Sequence, residues 1–173
     1  MKLLIDNGVQ GTPMSAIAKA ADTGMGTIYN YFPTKEDLIN GIYLYIKENE
    51  TLSLALSFTD ESIKRRFDHY YQAFILYFVR HPLHFAFMDQ FHNSPILTPA
   101  TKEQGMKTMA PFIGLIAKGQ REGIIKQIDV KELLFFINGG IMGFVRWVLS
   151  DQIDVHKGLL DNQLRIAWDA VKQ

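Results

Sequence analysis

Apolar residues recur every three to four positions along most of this chain, which is the period of an α-helix. In the later part of the chain this period predicts five helices, at about 60–80, 82–92, 99–123, 130–150 and 157–172. Pro111 lies inside the third of them and predicts a kink or a break there. No segment alternates apolar and polar residues as a half-buried strand does. The pattern therefore predicts an all-α fold of about nine helices.

The first fifty residues have a different pattern, in which short helices are separated by helix-breaking residues. Residues 1–7 read as the end of a helix, with Gly8 in a position where helices stop. Thr12 and Pro13 predict the N-cap and the first residue of a second helix. The tripeptide at 22–24 ends that helix and supplies a cap for the next one.

A third helix is predicted from Met25 to Phe32, where a proline follows and stops it. Ile28 and Phe32 are four residues apart and face inward, which leaves Thr27, Asn30 and Tyr31 on the other sides of the helix for a partner. A capping-box-like sequence at 34–37 starts a fourth helix, which the period extends to about Leu56. Two short helices joined by a tight turn form a geometry that can offer one of them to the major groove of DNA.

Composition narrows the class of protein. The chain has 173 residues, 47% of them apolar, which suits one domain or a small domain joined to a larger one. Its 18 basic and 18 acidic residues give a formal net charge of zero, so there is no bulk attraction for nucleic acid or an anionic membrane. The absence of cysteine excludes disulfides and thiol catalysis, and it fits a cytoplasmic location.

Two apolar stretches bear on whether the chain has a targeting segment or a membrane span. Asp6 and Gly8 interrupt the first apolar run too early for a secretory signal. The longest apolar stretch, 133–149, contains Asn138 and Arg146. It reads better as a helix covered on two sides than as a membrane span.

The spacing Gly-Thr-aliphatic-Tyr-x-x-Phe-x-x-Lys-x-x-Leu at 26–38 resembles the helix-turn-helix of tetracycline-repressor-like (TetR family) transcription regulators. The resemblance covers about the first fifty residues, and the remainder matches the family in length and helical character. It implies a three-helix DNA-binding domain at 1–46 and a helical ligand-binding and dimerisation domain at 47–173. It also implies a homodimer that binds a double-stranded DNA operator and a small-molecule effector, with no cofactor.

The resemblance implies DNA contacts from the second and third helices and from the start of the fourth. Thr12 would offer its hydroxyl and its backbone N–H to a phosphate in addition to capping its helix. Asn30 would address a base edge, and Gly26 would permit close approach. Tyr29 is as readily part of the core as a phosphate contact. The full set of predicted DNA-contacting residues is Thr12, Met25, Gly26, Thr27, Tyr29, Asn30, Tyr31 and Lys35.

Three features depart from the family pattern. Asp22 stands where the turn usually has glycine, so it must tolerate left-handed geometry. Met25 stands where a basic or small polar residue is common; it can touch a thymine methyl but cannot bind guanine bidentately. The first helix looks short, since similar proteins carry another turn or more before the position of Met1.

The charge of the first fifty residues is also unusual for a DNA-binding module. Four lysines stand against six carboxylates, a net charge of −2. Three explanations stay open: residues preceding Met1 supply positive charge, DNA affinity is weak, or the chain is numbered from the wrong methionine. Dimerisation would then have to supply part of the affinity.

Large apolar side chains are frequent in the predicted helices between about 60 and 112. This composition is typical either of simple core packing or of a cavity for a small, mainly apolar ligand. The resemblance favours the cavity. Its polar anchors would come from Tyr71, His92 and Asn138, each of which has an alternative structural role. The residues predicted to bind the ligand are Tyr71, Phe74, Phe78, Phe91, Met109, Phe112, Asn138 and Met142.

The segment 133–149 is apolar nearly all round, so one of its sides is available to a second subunit. The last helix adds an apolar stripe of its own. Together they predict a two-fold dimer interface of four helices, which places two recognition helices for successive faces of a palindrome. The predicted interface residues are Gly139, Gly143, Trp147, Leu160, Leu164 and Trp168.

Enzyme and metal functions find little support in the sequence. His81 and His84 are three apart, but the proline between them indicates a helix start rather than a metal pair. No phosphate loop, dinucleotide fingerprint or nucleophile elbow is present. The sequence predicts a ligand-responsive, non-enzymatic repressor. The alternative is a helical small-molecule-binding protein whose DNA-binding module is degenerate or truncated.

Overall fold

Helices account for most of the chain in a computed structural model that describes residues 1–55 and 62–173. The all-α prediction is confirmed, and the described residues form an isolated β-bridge but no strand. The helices are α1 Lys2–Asn7, α2 Met14–Ala20, α3 Met25–Tyr31, α4 Lys35–Ala55, α5 Ile63–Arg80, α6 Pro82–Phe91, α7 Pro99–Lys107, α8 Ala110–Arg121, α9 Val130–Ser150 and α10 Lys157–Val171. The predicted ends at residues 56 and 60 lie outside the described residues.

The described residues form ten helices rather than about nine because the single helix predicted at 99–123 is interrupted before Pro111. Helix α7 ends at Lys107 and α8 begins at Ala110, with Met109 as its N-cap and the proline in its first turn. Proline has no N–H to donate to the preceding turn, and its ring clashes with the carbonyl four residues earlier. The first turn of a new helix avoids both problems.

The chain folds into two compact units. The first contains residues 1–48 and 83–105, and the second contains 49–82 and 106–173. The first unit therefore combines the residues predicted for a DNA-binding domain with a segment from the later part of the sequence.

Apolar residues of α1 to α4 form a small core in the first unit. Thr12 is 1% exposed within it, and its hydroxyl donates to the carbonyl oxygens of Leu3 (2.9 Å) and Gly8 (2.8 Å). Helix α2 begins at Met14 with Pro13 as its N-cap. The predicted N-cap role of Thr12 is therefore wrong, because its side chain bonds backward to α1 rather than forward to α2.

The segment between α6 and α7 is held to α4 by the buried side chain of Asn40. Its amide nitrogen donates to the carbonyl oxygens of Glu36 (2.7 Å) and Ile96 (2.9 Å), and its oxygen accepts from the backbone N–H of Thr98 (3.0 Å). These bonds satisfy backbone groups of the turn that enters α7. They also make this segment part of the first unit.

In the second unit α5 packs against α8, α9 and α10. The Phe67 ring is 0% exposed, and its centroid lies 6.0 Å from Tyr71, 6.1 Å from Phe112 and 5.3 Å from Trp168. Aromatic pairs at these separations add to the stability that burial provides. The core of this unit is therefore a cluster of rings contributed by three helices.

Of the described helices, α9 is long and apolar enough to cross a membrane by length and composition alone. One side of it is buried in the second unit, where it packs against α5, α8 and α10. A core helix passes the same test of length and hydropathy. The opposite side of α9 is exposed in the single chain.

Candidate nucleic-acid interface and regulatory unit

Helix α3 is anchored by one buried residue and exposes the rest. Ile28 is buried, whereas the other six residues of the helix are exposed, including Tyr31 at 76%. Gly24 is the N-cap and Phe32 ends the helix in an extended conformation, as the following proline requires. The sequence predicted this helix to within one residue.

The turn before α3 depends on a left-handed residue. Asp22 has φ 50°, and the backbone N–H of Thr23 donates to the carbonyl oxygen of Ala18 (3.0 Å). The short polar side chain of aspartate tolerates this conformation better than most residues do. The expectation that Asp22 replaces the usual glycine in left-handed geometry is confirmed.

The start of α4 is fixed by the predicted capping box. The Asp37 carboxylate accepts from the Thr34 backbone N–H (3.0 Å) and hydroxyl (2.7 Å), and the Asp37 N–H donates to the Thr34 oxygen (3.0 Å). The ammonium of Lys35 donates to the carbonyl oxygen of Val9 (2.7 Å), which ties α4 to the segment after α1. An ammonium has three donors, so this bond leaves capacity for a phosphate.

Seven of the eight residues predicted to contact DNA have accessible surface. Lys35 is half-buried, and the six on α3 are exposed: Met25, Gly26, Thr27, Tyr29, Asn30 and Tyr31. Thr12 does not join them, because its hydroxyl is buried and engaged by two carbonyl oxygens. The prediction that this hydroxyl is offered to a phosphate is contradicted.

Sequence reasoning overlooked Lys19 as a candidate phosphate contact. It lies exposed in the last turn of α2. No charged residue occurs on α3 itself. The positive charge available near the helix-turn-helix is therefore small.

The residues predicted to bind a ligand divide between the two units. Tyr71, Phe74, Phe78 and Phe112 are buried in the second unit. Phe91 is buried in the first unit, with its ring 4.7 Å from that of Phe87. Met109 and Met142 are half-buried. Asn138 is exposed on α9, so the prediction that it anchors a ligand inside a cavity is contradicted in the single chain.

Tyr71 is the polar side chain within the aromatic cluster. Burial raises the pKa of its phenol, which keeps the hydroxyl protonated at neutral pH. A Cβ placed on Gly140 of α9 would stand 3.2 Å from the Tyr71 oxygen. Glycine at this position therefore lets α9 approach the hydroxyl closely.

An open cleft of about 400 Å³ lies along α5 and α10 in the second unit. It is lined mainly by charged side chains: Lys64, Asp68, Asp161, Leu164, Arg165, Trp168, Asp169 and Lys172. None of the eight predicted ligand-binding residues lines it. Its polar, paired lining does not match a site for an apolar molecule.

Of the residues predicted for the dimer interface, those on α9 are exposed in the single chain, whereas those on α10 are buried or half-buried. Gly139, Gly143 and Trp147 lie on the exposed side of α9. Leu160 and Trp168 are buried within their own chain, because the apolar stripe of α10 packs on α5 and α9. Leu164 is half-buried and lines the α5–α10 cleft.

Three exposed apolar residues escaped the sequence prediction. Phe135 is 83% exposed and Phe136 is 56% exposed, both on the α9 face that carries the glycines, and Ile166 on α10 is 60% exposed. The signal for Ile166 was its position outside the main stripe of α10. Within residues 1–55 and 62–173, no group of three potential metal ligands converges.

Comparison with known proteins identifies the family. Residues 1–42 match the profile described as "Bacterial regulatory proteins, tetR family", and residues 46–173 match the "Tetracyclin repressor-like, C-terminal domain". The chain belongs to the TetR family of transcription regulators. The family resemblance noted from residues 26–38 is thus confirmed, and so is a function in DNA-binding transcriptional regulation.

Individual relatives agree with this assignment. The chain is 26% identical over 166 residues to the fatty acid metabolism regulator protein of Bacillus subtilis (strain 168), covering 88% of this chain and 81% of that protein. A TetR family transcription regulator from Marinobacter aquaeolei VT8 shares the fold with a TM-score of 0.90 and 22% identity, covering 99% of this chain and 91% of that one. A candidate tetR family regulator from Shewanella sp. PV-4 also has a TM-score of 0.90, with 21% identity and coverage of 99% and 93%.

Members of the family bind operator DNA and small-molecule effectors as dimers, and they are typically not enzymes. Members of the family are soluble DNA-binding proteins.

Proposed function

We propose that this protein is a homodimeric repressor that binds a palindromic operator through α3 of each subunit and is released by a small, mainly apolar molecule. The observation that carries the proposal is the exposure of α3. Only Ile28 of its seven residues is buried, so one helix of a fixed helix-turn-helix is available to the major groove.

The exposed side of α9 supports the dimer. Phe135, Phe136 and Trp147 share this side with Gly139 and Gly143, at which an added Cβ would meet nothing within 4 Å in the single chain. Exposed rings beside open glycines suit close packing of a second, identical helix. Ile166 of α10 extends the proposed interface in place of Leu160 and Trp168.

Regulation would use the places where the chain passes between the two units. These crossings fall after Glu48 within α4, at Pro82 before the rest of α6, and after Gly105 within α7. A ligand held in the second unit can shift the state of the first only by its differential affinity for the two states. The Asn40 bonds would make the segment at 83–105 respond together with α4.

For the effector we propose a molecule with a long aliphatic chain. The second unit offers apolar rings with Tyr71 as a hydrogen-bond donor, and the Bacillus subtilis relative is a regulator of fatty acid metabolism. Among the predicted ligand residues, Tyr71, Phe74, Phe78, Phe112 and the two half-buried methionines remain in this proposal. Apolar rings and methionine adapt well to an aliphatic chain.

A mobility-shift assay with the DNA upstream of this protein's own coding sequence tests the function. We expect specific binding to a palindrome that weakens as free fatty acids of increasing chain length are added. Specific binding that no fatty acid weakens would contradict the effector class alone. Equal affinity for all DNA sequences would contradict the proposed repressor function.

The net charge of −2 in residues 1–50 favours the alternative of a small-molecule-binding protein with a weak DNA module. Sequence preference, measured together with salt dependence, separates the repressor from this alternative. Lys19 and Lys35 of both subunits would contact four phosphates, which corresponds to a slope of about −4 in log K against log salt. A specific complex with this shallow slope supports the repressor, whereas salt-sensitive binding without sequence preference supports the alternative.

A further inference from the structure

The exposed surface of α3 lacks the side chains that read guanine and cytosine. Its exposed residues carry a thioether, hydroxyls and one amide. The whole first unit, residues 1–48 and 83–105, contains no arginine. Guanine is most often read by a bidentate arginine or lysine, and cytosine by a carboxylate that accepts from its amino group. Neither kind of group is available on this helix.

The residues that are present match the edges of adenine and thymine. An asparagine amide can donate to N7 and accept from the amino group of adenine, and α3 supplies Asn30. Apolar groups contact the thymine methyl, and α3 supplies the thioether methyl of Met25 and the methyl of Thr27. The hydroxyls of Tyr29 and Tyr31 make single bonds, which discriminate poorly among base pairs.

The geometry of α3 places Asn30 and Gly26 on one side of the helix. Successive residues of a helix are rotated by about 100°, so Gly26 and Asn30 lie together on the side opposite the buried Ile28. An added Cβ on Gly26 would meet nothing within 4 Å. The helix can therefore approach the groove floor along this side. Met25 and Thr27 flank it.

We propose that the base pairs read by α3 are A·T pairs, with adenine bound bidentately by Asn30 and the thymine methyl contacted by Met25. The proposal rests on the proposed function, because it names the class of operator that the same surface binds. It assigns sequence preference to two uncharged side chains and leaves the lysines of the first unit to phosphates.

Selection from a library of DNA duplexes with a randomised core, using the full chain, tests this assignment. We expect a palindrome whose α3 positions are A·T. Asn30→Ala should relax the preference at one A·T pair in each half-site, by roughly 5- to 150-fold in discrimination. Asn30→Asp should shift that position toward cytosine, because a carboxylate accepts from its amino group. Both variants should fold, since Asn30 is exposed.

Gln104→Ala is the matched control, because it removes another exposed amide from the first unit at a distance in sequence from the helix-turn-helix. It should leave the selected sequence unchanged. A second measurement replaces the thymines of the selected half-site by deoxyuridine, which lacks the methyl group. Affinity should fall several-fold for the wild type and by a smaller factor for Met25→Ala, in which only the Thr27 methyl contact is left.

The outcomes separate this inference from the function on which it rests. A selected palindrome in which Asn30→Ala relaxes a G·C pair, or no pair, overturns the A·T assignment and leaves the repressor intact. Equal loss on deoxyuridine substitution in the wild type and in Met25→Ala overturns the role of Met25. Recovery of no sequence above the input library overturns both the repressor and the A·T assignment.

Discussion

Each of the two compact units has an apolar core, but different interactions stand out within each unit. In the first, side chains bond to backbone groups of distant segments: Thr12 to α1, Lys35 to Val9 and Asn40 to the turn before α7. In the second, Phe67 lies at the centre of a ring cluster drawn from three helices. Hydrogen bonds are directional and fix the segments around the helix-turn-helix relative to one another, whereas apolar contacts are less directional and can repack around a ligand.

The exposed faces of the units differ in the same way. Helix α3 presents hydroxyls and an amide, which match the polar edges of bases. Helix α9 presents Phe135, Phe136 and Trp147, which match another apolar surface. One face is chemically suited to DNA and the other to a second copy of the chain. Each of the following experiments changes one side of this contrast while leaving the other side intact.

Gly143→Arg should have the largest effect. The single chain has space for the new side chain, and replacing glycine inside a helix favours folding by up to about 1 kcal/mol. In the proposed dimer the arginine would separate the α9 helices. We expect a folded monomer by sedimentation and a loss of operator affinity on the order of a hundredfold or more, because two half-sites are no longer bound together.

Gly114→Arg is the control for that substitution. Gly114 is also an exposed helical glycine with nothing within 4 Å of an added Cβ, but it lies on α8. It should leave a dimer with normal operator affinity. A Gly143→Arg protein that remains dimeric would exclude the exposed face of α9 from the interface.

Gly26→Ala tests the polar face. An added methyl meets nothing in the protein and should stabilise the fold by roughly 0.5–1 kcal/mol. If backbone and groove meet closely here, the same methyl should cost roughly 1–3 kcal/mol of operator binding, as overpacking does elsewhere. Thermal unfolding and a DNA titration measure the two effects. Gly114→Ala should give the stability gain without the loss of affinity, and unchanged affinity in Gly26→Ala would contradict close approach.

Asp37→Ala removes the capping box that starts α4. Its carboxylate accepts from both the N–H and the hydroxyl of Thr34, so we expect a loss of about 1 kcal/mol in the free energy of unfolding. Urea denaturation measures it. Glu36→Ala removes the same charge from the first turn without touching these bonds. Equal losses in the two variants would mean that charge at the helix start matters and the capping box does not.

The sequence was most informative where signals are local. The left-handed turn at Asp22, the anchor Ile28 and the capping box at 34–37 depend on residues within one or two turns of each other. Such features can be read directly from residue type and spacing. The bounds of α3 were therefore predicted to within one residue.

The predictions failed where the role of a residue depends on a segment that is distant in the sequence. Thr12 looked like a cap from its neighbours, but its hydroxyl is satisfied by a carbonyl nine residues earlier. The stripe of Leu160 and Trp168 has helical spacing, yet spacing does not say whether the same chain or a second one covers it. Asn138 was likewise predicted to point into a ligand cavity, but the helical period alone does not say which side of α9 faces its own chain. The effector site remains a prediction for the same reason.

The smallest expected effect is a dependence of stability on pH that arises in the first unit. There His92 stacks on Tyr43, with ring centroids 6.3 Å apart. Partial burial, with smaller contributions from Lys47 and Lys102, lowers the pKa of His92. The unfolded chain therefore binds a proton at His92 more readily than the folded chain does. At a pH above the usual histidine pKa, His92 should have no effect on stability. As the pH falls below that value, the free energy of unfolding should decrease progressively.

The loss should stay well below the limit of about 1.4 kcal/mol per pH unit for one proton, because the ring is partly exposed to solvent. Urea unfolding of wild type and His92→Gln between pH 8 and 5 measures the difference, and the variant should have the flatter profile. Identical pH profiles for wild type and His92→Gln would show that His92 is not the source of the acid sensitivity. The two units would then not differ in pH dependence through this residue.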